Sequence, residues 1–160
     1  MLTDFHTHIF PDKMADKTIK LLESNIKEEY RPHKAELRGT LDALRQSMRE
    51  NNVDISLVLP IATNVKQSTT INNFAASING IDGIYSLGSL HPMQSDWESV
   101  LYDIKEKGLK GIKLHPEYQQ FYIDSKESIQ ILKKCEELDL ITVLHSGKDI
   151  GIDPPVHCTP

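Results

Sequence analysis

Two histidines lie one residue apart near the start of the chain, in the segment Asp4-Phe5-His6-Thr7-His8. The apolar opening of this segment predicts a β-strand, in which successive side chains alternate between faces. His6 and His8 should therefore point the same way, with their ring nitrogens close together. Neutral imidazole is the commonest protein ligand for zinc and similar ions. The pair alone fits equally well with two hydrogen-bonded histidines at a strand end.

A third histidine, His145, follows the predicted strand at 140–144 and precedes a Ser-Gly pair. Parallel strands present functional side chains at their carboxyl ends, although a histidine here can also cap a following helix. Three histidines can fill three positions of a zinc ion and leave the fourth for water, whose pKa such a site lowers towards roughly 7. We therefore predict a divalent metal bound by His6, His8 and His145, with zinc preferred over manganese, iron or nickel.

Lys113 and His115 are two residues apart in another predicted strand, so they share one face of it. An unpaired buried ammonium is costly, so Lys113 should pair with a carboxylate, contact substrate, or become a carbamate that binds metal. The salt bridge is the favoured of these three. His115 and His91 each precede a proline, which favours a role in ending the strand. We predict Lys113 and His115 as the catalytic residues, because only His115 follows such a lysine.

Other polar residues leave two interpretations open. Asp4 shares the strand face of the histidine pair, and it either orients a ligand or bonds to backbone. His157 and Cys158 resemble a soft metal pair, but their place in a proline-rich tail favours a loop role. The other cysteine, Cys135, lies in a helical pattern. Two cysteines without metal-type spacing favour a reducing cytoplasmic location.

Strand-like and helix-like segments alternate along the chain, which predicts parallel strands joined by right-handed crossovers. Histidines at several strand ends fit either an open doubly wound sheet or a (β/α)₈ barrel. No glycine-rich phosphate loop is present, which disfavours the nucleotide-binding form of the open sheet. The predicted strands are 2–5, 53–59, 84–90, 109–114 and 140–144, and the predicted helices are 12–30, 40–50, 64–78, 96–107 and 125–138.

The composition favours a protein that acts on a small-molecule substrate. The 160 residues carry a net charge of −5, with basic residues spread along the chain, so nucleic acid is not an expected partner. No window approaches the roughly 18 apolar residues of a membrane span, and the first residues lack the pattern of a signal peptide. We expect one domain, 1–160, without a membrane partner.

Four motifs in register give the sequence a more specific resemblance. They lie at 4–11 (DFHTHIFP), 88–92 (GSLHP), 111–116 (GIKLHP) and 143–147 (VLHSG). In order and spacing the sequence resembles the amidohydrolase superfamily, in its amidohydrolase-related branch of metal-dependent TIM-barrel hydrolases. The resemblance implies that His6 and His8 are strand-one metal ligands and that His145 is the strand-five ligand. Lys113 stands on the strand whose lysine is carbamylated in two-metal members.

The same resemblance implies an activity. In this family a metal-activated water attacks an amide, ester or lactone, and some relatives decarboxylate their substrate at the same site. The family also uses a histidine from strand six and an aspartate from strand eight, which have no counterpart here. A complete barrel typically needs roughly 250 residues. The chain is thus expected to be an incomplete (β/α)₈ TIM-barrel type α/β fold of about five parallel strands.

Three functional hypotheses follow. The first is a metal-dependent hydrolase, represented here by its N-terminal portion, with decarboxylation as an alternative. The second is a catalytically inactive truncated fragment that still binds metal or assembles with another chain. A phosphoesterase is third, because no basic cluster accompanies the histidines. If the chain is complete at 160 residues, its unpaired first and fifth strands should make it self-associate.

Overall fold

The computed structural model describes residues 1–28 and 34–159. Short parallel strands alternate with helices, and a last segment, 145–159, folds back without regular structure. The helix predicted at 12–30 ends at Asn25, and only the last two of its predicted residues, 29–30, lie outside the described residues. The strands are β1 (Thr3–Thr7), β2 (Ile55–Val58), β3 (Ile84–Ser86), β4 (Gly111–Leu114) and β5 (Ile141–Leu144), and the helices are α1 (Asp12–Asn25), α2 (Leu41–Glu50), α3 (Ser68–Ile78), α4 (Trp97–Glu106), α5 (Pro116–Gln119) and α6 (Lys126–Glu137).

The strands run side by side in chain order. β1, β2 and β3 form one parallel sheet, and β4 and β5 form another. Gly88 joins the two sheets, because its N–H donates to the Gly111 carbonyl and its carbonyl accepts from Lys113 N, both at 2.8 Å. A doubly wound sheet reverses its strand order at a switch point, and this row does not. The predicted incomplete TIM-barrel type fold is therefore confirmed, with five described strands that do not close into a barrel.

Two apolar clusters hold the helices against this row of strands. One packs β4 and its neighbours against α4 and α6, and the other packs β2 and β3 against α2 and α3. All four residues of β4 are buried, as expected for a central parallel strand. Gly111 is required at its start, since an added Cβ would lie 2.1 Å from the Ile141 carbonyl oxygen. By contrast, β1 and β5 are partly exposed.

Two helices begin at their predicted cap residues, whereas α3 begins at Ser68, four residues after its predicted start. Thr40 caps α2 by accepting from Ala43 N at 3.2 Å, and Ser125 caps α6 by accepting from Ser128 N at 3.3 Å. Helix α5 was not among the predicted helices. Its first residue is Pro116, a favourable first helical position. No helix in the described part of the chain is long and apolar enough to cross a membrane.

Candidate active site

The two N-terminal histidines meet through their ring nitrogens at the end of β1. Their Nε2 atoms are 3.1 Å apart. The Nδ1–H of His8 donates to the Leu59 carbonyl at 2.8 Å, so the lone pair of the neutral ring is on Nε2. Two ligand nitrogens at 2.0–2.1 Å from one tetrahedral zinc are about 3.3 Å apart. The pair therefore fits two adjacent positions around one metal ion, and without metal the His6 Nε2–H donates to His8.

Asp4 takes the second of its two predicted roles. Its Oδ1 accepts from the backbone N–H of His6 at 3.1 Å, within an irregular part of β1 where the register with β2 shifts. The carboxylate thus holds the backbone that carries His6 and forms no hydrogen bond with either imidazole ring in the described structure. Its negative charge acts on the His6 pKa in the upward direction, against the larger effect of burial.

His145 lies directly after β5, beside His115 at the end of β4. The His145 backbone N–H donates to the Leu114 carbonyl at 3.0 Å, which continues the strand register. The rings of His115 and His145 stack with centroids 3.9 Å apart and planes 9° from parallel. The Nε2 atom of His145 is buried and has no hydrogen-bond partner among the described residues. A buried imidazole nitrogen without a partner is suited to bind a metal or a substrate group.

An aspartate that the sequence analysis missed completes this second cluster. Ligand atoms of His115, His145 and Asp149 all lie within 4.8 Å of one another, the only group of this kind among the described residues. His6 and His8 are not part of it. The structure pairs His6 with His8 and places His145 beside His115. Binding of one metal ion by His6, His8 and His145 together stays a prediction. Gly147, at φ +97°, turns the chain so that Asp149 returns to His145.

The tautomer of His115 limits its role in that cluster. Its Nδ1 accepts the Tyr118 backbone N–H at 3.3 Å and so caps α5. The proton of the neutral ring must then lie on Nε2, which faces Asp149 Oδ2 at 3.7 Å. A ring in this state has no free lone pair for a metal. His115 is therefore a hydrogen-bond donor in this arrangement, whereas His145 and Asp149 keep free acceptor atoms.

The protein keeps two of these imidazoles uncharged. Burial lowers the pKa of His8 to about 4, with a further decrease from the charge of His6. Burial also lowers the pKa of His115 to about 3, and the charges of His145 and Lys113 add to the decrease. Both rings are thus neutral at pH 7, the state in which imidazole can bind a metal or donate a single N–H.

Lys113 is fully buried in β4, and its Nζ has no hydrogen-bond partner among the described residues. Burial lowers the pKa of this ammonium. The salt bridge favoured from the sequence is not formed with any described carboxylate. The charge of Lys113 also lowers the pKa of His6, His8 and His115, so its effect reaches both histidine clusters. The catalytic roles predicted for Lys113 and His115 stay predictions.

A buried glutamine and a buried serine hold the strand ends beneath these groups. Gln119 Nε2 donates to the carbonyls of Ala62 and Leu90, each at 2.8 Å, and its Oε1 accepts from His115 N at 2.8 Å. Ser89 Oγ donates to the Lys113 carbonyl at 2.9 Å and accepts from Ala62 N at 3.0 Å. These bonds connect the segments that follow β2 and β3 to β4, and they fix the backbone at the site.

The remaining predicted candidates form structural hydrogen bonds outside the cluster of His115, His145 and Asp149. His91 Nδ1 accepts from Met93 N at 3.2 Å, which fits the turn role that its proline suggested. His157 bonds to Glu117 through its backbone N at 2.6 Å and its Nδ1 at 2.7 Å. The Cys158 carbonyl accepts from Gly147 N at 2.8 Å. These hydrogen bonds hold the last segment against the end of β5. In the described structure His157 and Cys158 therefore act as loop residues and do not form a metal-binding pair.

The fold of this chain is similar to that of known structures. No family model matches the chain, and no curated protein matches it. Solved structures do match. An amidohydrolase II structure superposes with a TM-score of 0.68 at 17% identity, covering 96% of this chain and 53% of that one. This supports the motif-based resemblance.

Two further structures have related folds. A 5-carboxyvanillate decarboxylase from Novosphingobium aromaticivorans, complexed with manganese, has a TM-score of 0.64 at 16% identity, covering 91% of this chain and 50% of that one. A probable 2-pyrone-4,6-dicarboxylic acid hydrolase from Acinetobacter baumannii has a TM-score of 0.54 at 14% identity, covering 91% of this chain and 49% of that one.

These matches define the class of fold. The chain has the parallel α/β architecture of amidohydrolase-type barrels, and it spans about half the length of the structures that it matches. The resemblance predicted from the four sequence motifs is confirmed at the level of the fold.

Proposed function

We propose that this chain is part of a divalent-metal-dependent hydrolase of amidohydrolase type, with zinc as the preferred metal. The observation that carries the proposal is the His6–His8 pair, whose Nε2 atoms are 3.1 Å apart at the carboxyl end of a parallel strand. His6, His8 and His145 would hold the metal. The partnerless, buried Nε2 of His145 supports its inclusion.

The proposed reaction is the addition of water to an amide, ester or lactone carbonyl. A bound divalent cation supplies Lewis-acid activation of the water or of the carbonyl. Asp149 is the carboxylate that groups with the stacked histidines, and its Oδ2 would accept the proton that the attacking water loses. The backbone bonds of Gln119 hold His115 in place, and His115 presents its Nε2–H to the same space.

Decarboxylation is the second candidate reaction. The fold match to a manganese-containing 5-carboxyvanillate decarboxylase favours it. The alternative to an enzyme is a catalytically inactive chain that still binds metal or assembles with another chain. The three differ in product: hydrolysis yields an acid with an amine or alcohol, decarboxylation yields CO₂, and an inactive chain yields neither.

The first experiment measures metal in the full chain purified without added metal. We expect close to one equivalent of a transition metal in the wild type, a loss of most of it in the His145→Ala variant, and retention in His91→Ala. His91 is the matched control, because it also lies in the segment after β3 but is not one of the proposed metal ligands, and its Nδ1 accepts from Met93 N. A metal content below about a tenth of an equivalent that His145→Ala leaves unchanged would contradict the three-histidine site.

The second experiment measures turnover of the metal-loaded chain. Ester and lactone panels followed by proton release, and aromatic carboxylates followed by CO₂ release, separate the two reactions. Hydrolysis that His6→Ala abolishes supports the proposal. Full metal occupancy without product in either assay supports the inactive alternative instead.

A further inference from the structure

We propose that Lys113 and His115 together form a subsite that binds a carboxylate group of the substrate. This inference rests on the proposed function, because it assumes that the substrate binds at the same strand ends. It goes beyond that function by naming a chemical feature of the substrate and the two side chains that recognise it.

The first argument is the unsatisfied ammonium of Lys113. The side chain is completely buried in the middle of β4, and its Nζ has no hydrogen-bond partner in the described structure. A buried charge without a partner is strongly unfavourable, and proteins usually offset this cost with an opposite charge or with hydrogen bonds. None of the described carboxylates supplies that partner. A bound carboxylate would supply both the negative charge and the acceptor oxygens.

The second argument is the fixed donor of His115. His115 directly follows β4 with φ −132° and ψ 88°, two residues after Lys113, and side chains at that spacing in an extended chain lie on the same face. Because Nδ1 of His115 accepts the Tyr118 N–H, its proton lies on Nε2. The 3.7 Å distance from this nitrogen to Asp149 Oδ2 is too long for a hydrogen bond, so the N–H remains available to a ligand.

The third argument is the number and kind of donors. One ammonium and one neutral N–H match the single charge and the two coplanar oxygens of a carboxylate. A phosphate carries up to twice that charge and offers three oxygens, so it calls for more cations or backbone N–H groups than this pair provides. The remaining neighbours that sense the Lys113 charge are imidazoles, His6 and His8.

The test measures anion binding by the full chain, both as purified and after removal of metal with a chelator. Sodium benzoate is the carboxylate probe and inorganic phosphate is the comparison, with affinities from calorimetric titration. We expect benzoate to bind at one site and more tightly than phosphate. The Lys113→Met variant should weaken benzoate at least tenfold in both preparations, and Lys110→Met, at an exposed lysine just before β4, should leave it unchanged.

A second variant separates recognition from folding. His115→Asn keeps an acceptor that can cap α5, because asparagine is a preferred N-cap residue, but it removes the Nε2–H. It should weaken benzoate severalfold with little change in melting temperature. Lys113→Met should melt higher than the wild type without ligand, since the unpaired ammonium is gone. Benzoate affinity unchanged in Lys113→Met, or phosphate bound as tightly as benzoate, would overturn the subsite.

Metal content is measured on the same samples. A wild-type protein that is purified without metal but binds benzoate would count against the proposed function and for the subsite. The opposite result, metal retained and benzoate unaffected by Lys113→Met, would count against the subsite alone.

Discussion

Burial keeps the His115 ring of the candidate site neutral, and this has a cost under acidic conditions. Above pH 6.5 an unfolded histidine is also neutral, so neither state gains by protonation. Below pH 6.5 the unfolded chain takes up protons that His115 in the folded chain refuses until about pH 3. Because the unfolded state then binds more protons, stability falls as the pH falls through this window.

We therefore predict an acid-sensitive fold in the metal-free protein. Each such histidine contributes a slope of up to about 1.4 kcal/mol per pH unit between its unfolded and folded pKa values. Urea unfolding at pH 7.5, 6.0 and 5.0 should show decreasing stability, with a shallower decrease in His115→Asn, which has no titrating ring. Equal pH slopes in the two proteins would contradict the assignment of His115 as a buried neutral base.

At the residue scale, the sequence predicts only what local geometry fixes. Alternation along a strand was sufficient to bring His6 and His8 together, and their Nε2 atoms do meet at 3.1 Å. Asp149 escaped prediction because its approach to His145 depends on the path of an irregular segment turned by Gly147. The lack of a hydrogen-bond partner for Lys113 Nζ in the described structure could not be predicted either. Whether a carboxylate lies beside this lysine depends on tertiary packing, which the sequence does not give.

At the element scale, hydrophobic periodicity predicted the larger helices and the order of the strands, and the cap residues Thr40 and Ser125 marked helix starts correctly. Four of the five strands proved shorter than predicted, whereas β1 runs to Thr7, past its predicted end at residue 5. Helix α5 was missed because four residues carry no periodicity. It is stabilised by Pro116 at its first position and by the His115 cap, and neither feature produces a hydrophobic periodicity in the sequence.

Helix α5 is also the element that joins the strand ends, through Gln119. Replacing Gln119 with leucine removes one acceptor and two donated hydrogen bonds, and it leaves the carbonyls of Ala62 and Leu90 and the N–H of His115 without partners. We expect a loss of about 3 kcal/mol of unfolding free energy, since each unsatisfied buried group costs about 1–3 kcal/mol and the structure can partly relax.

Chemical denaturation of Gln119→Leu and Gln130→Leu tests this role. Gln130 is exposed on α6, so the same change of side chain there should shift stability by less than about 0.5 kcal/mol. A Gln119→Leu protein as stable as the Gln130→Leu control would show that the strand ends are held by other contacts.

At the scale of the whole molecule, the row of five strands leaves two outer edges. β1 pairs only with β2, and β5 pairs only with β4, among the described strands. Both outer strands carry an exposed apolar side chain: Phe5 is 71% exposed and Ile141 is 61% exposed. Unpaired strand edges beside exposed apolar groups are the usual starting points of association between chains.

We predict that the 160-residue chain self-associates through these edges. Sedimentation velocity at micromolar to millimolar concentrations should show a weight-average mass that rises with concentration. Phe5→Lys and Ile141→Lys should shift the chain towards monomer, because a charged edge opposes strand pairing. Met93→Lys is the control, since Met93 is 63% exposed but lies outside the outer strands. A monomer that melts cooperatively across this concentration range would show instead that the five strands are stable with both edges open.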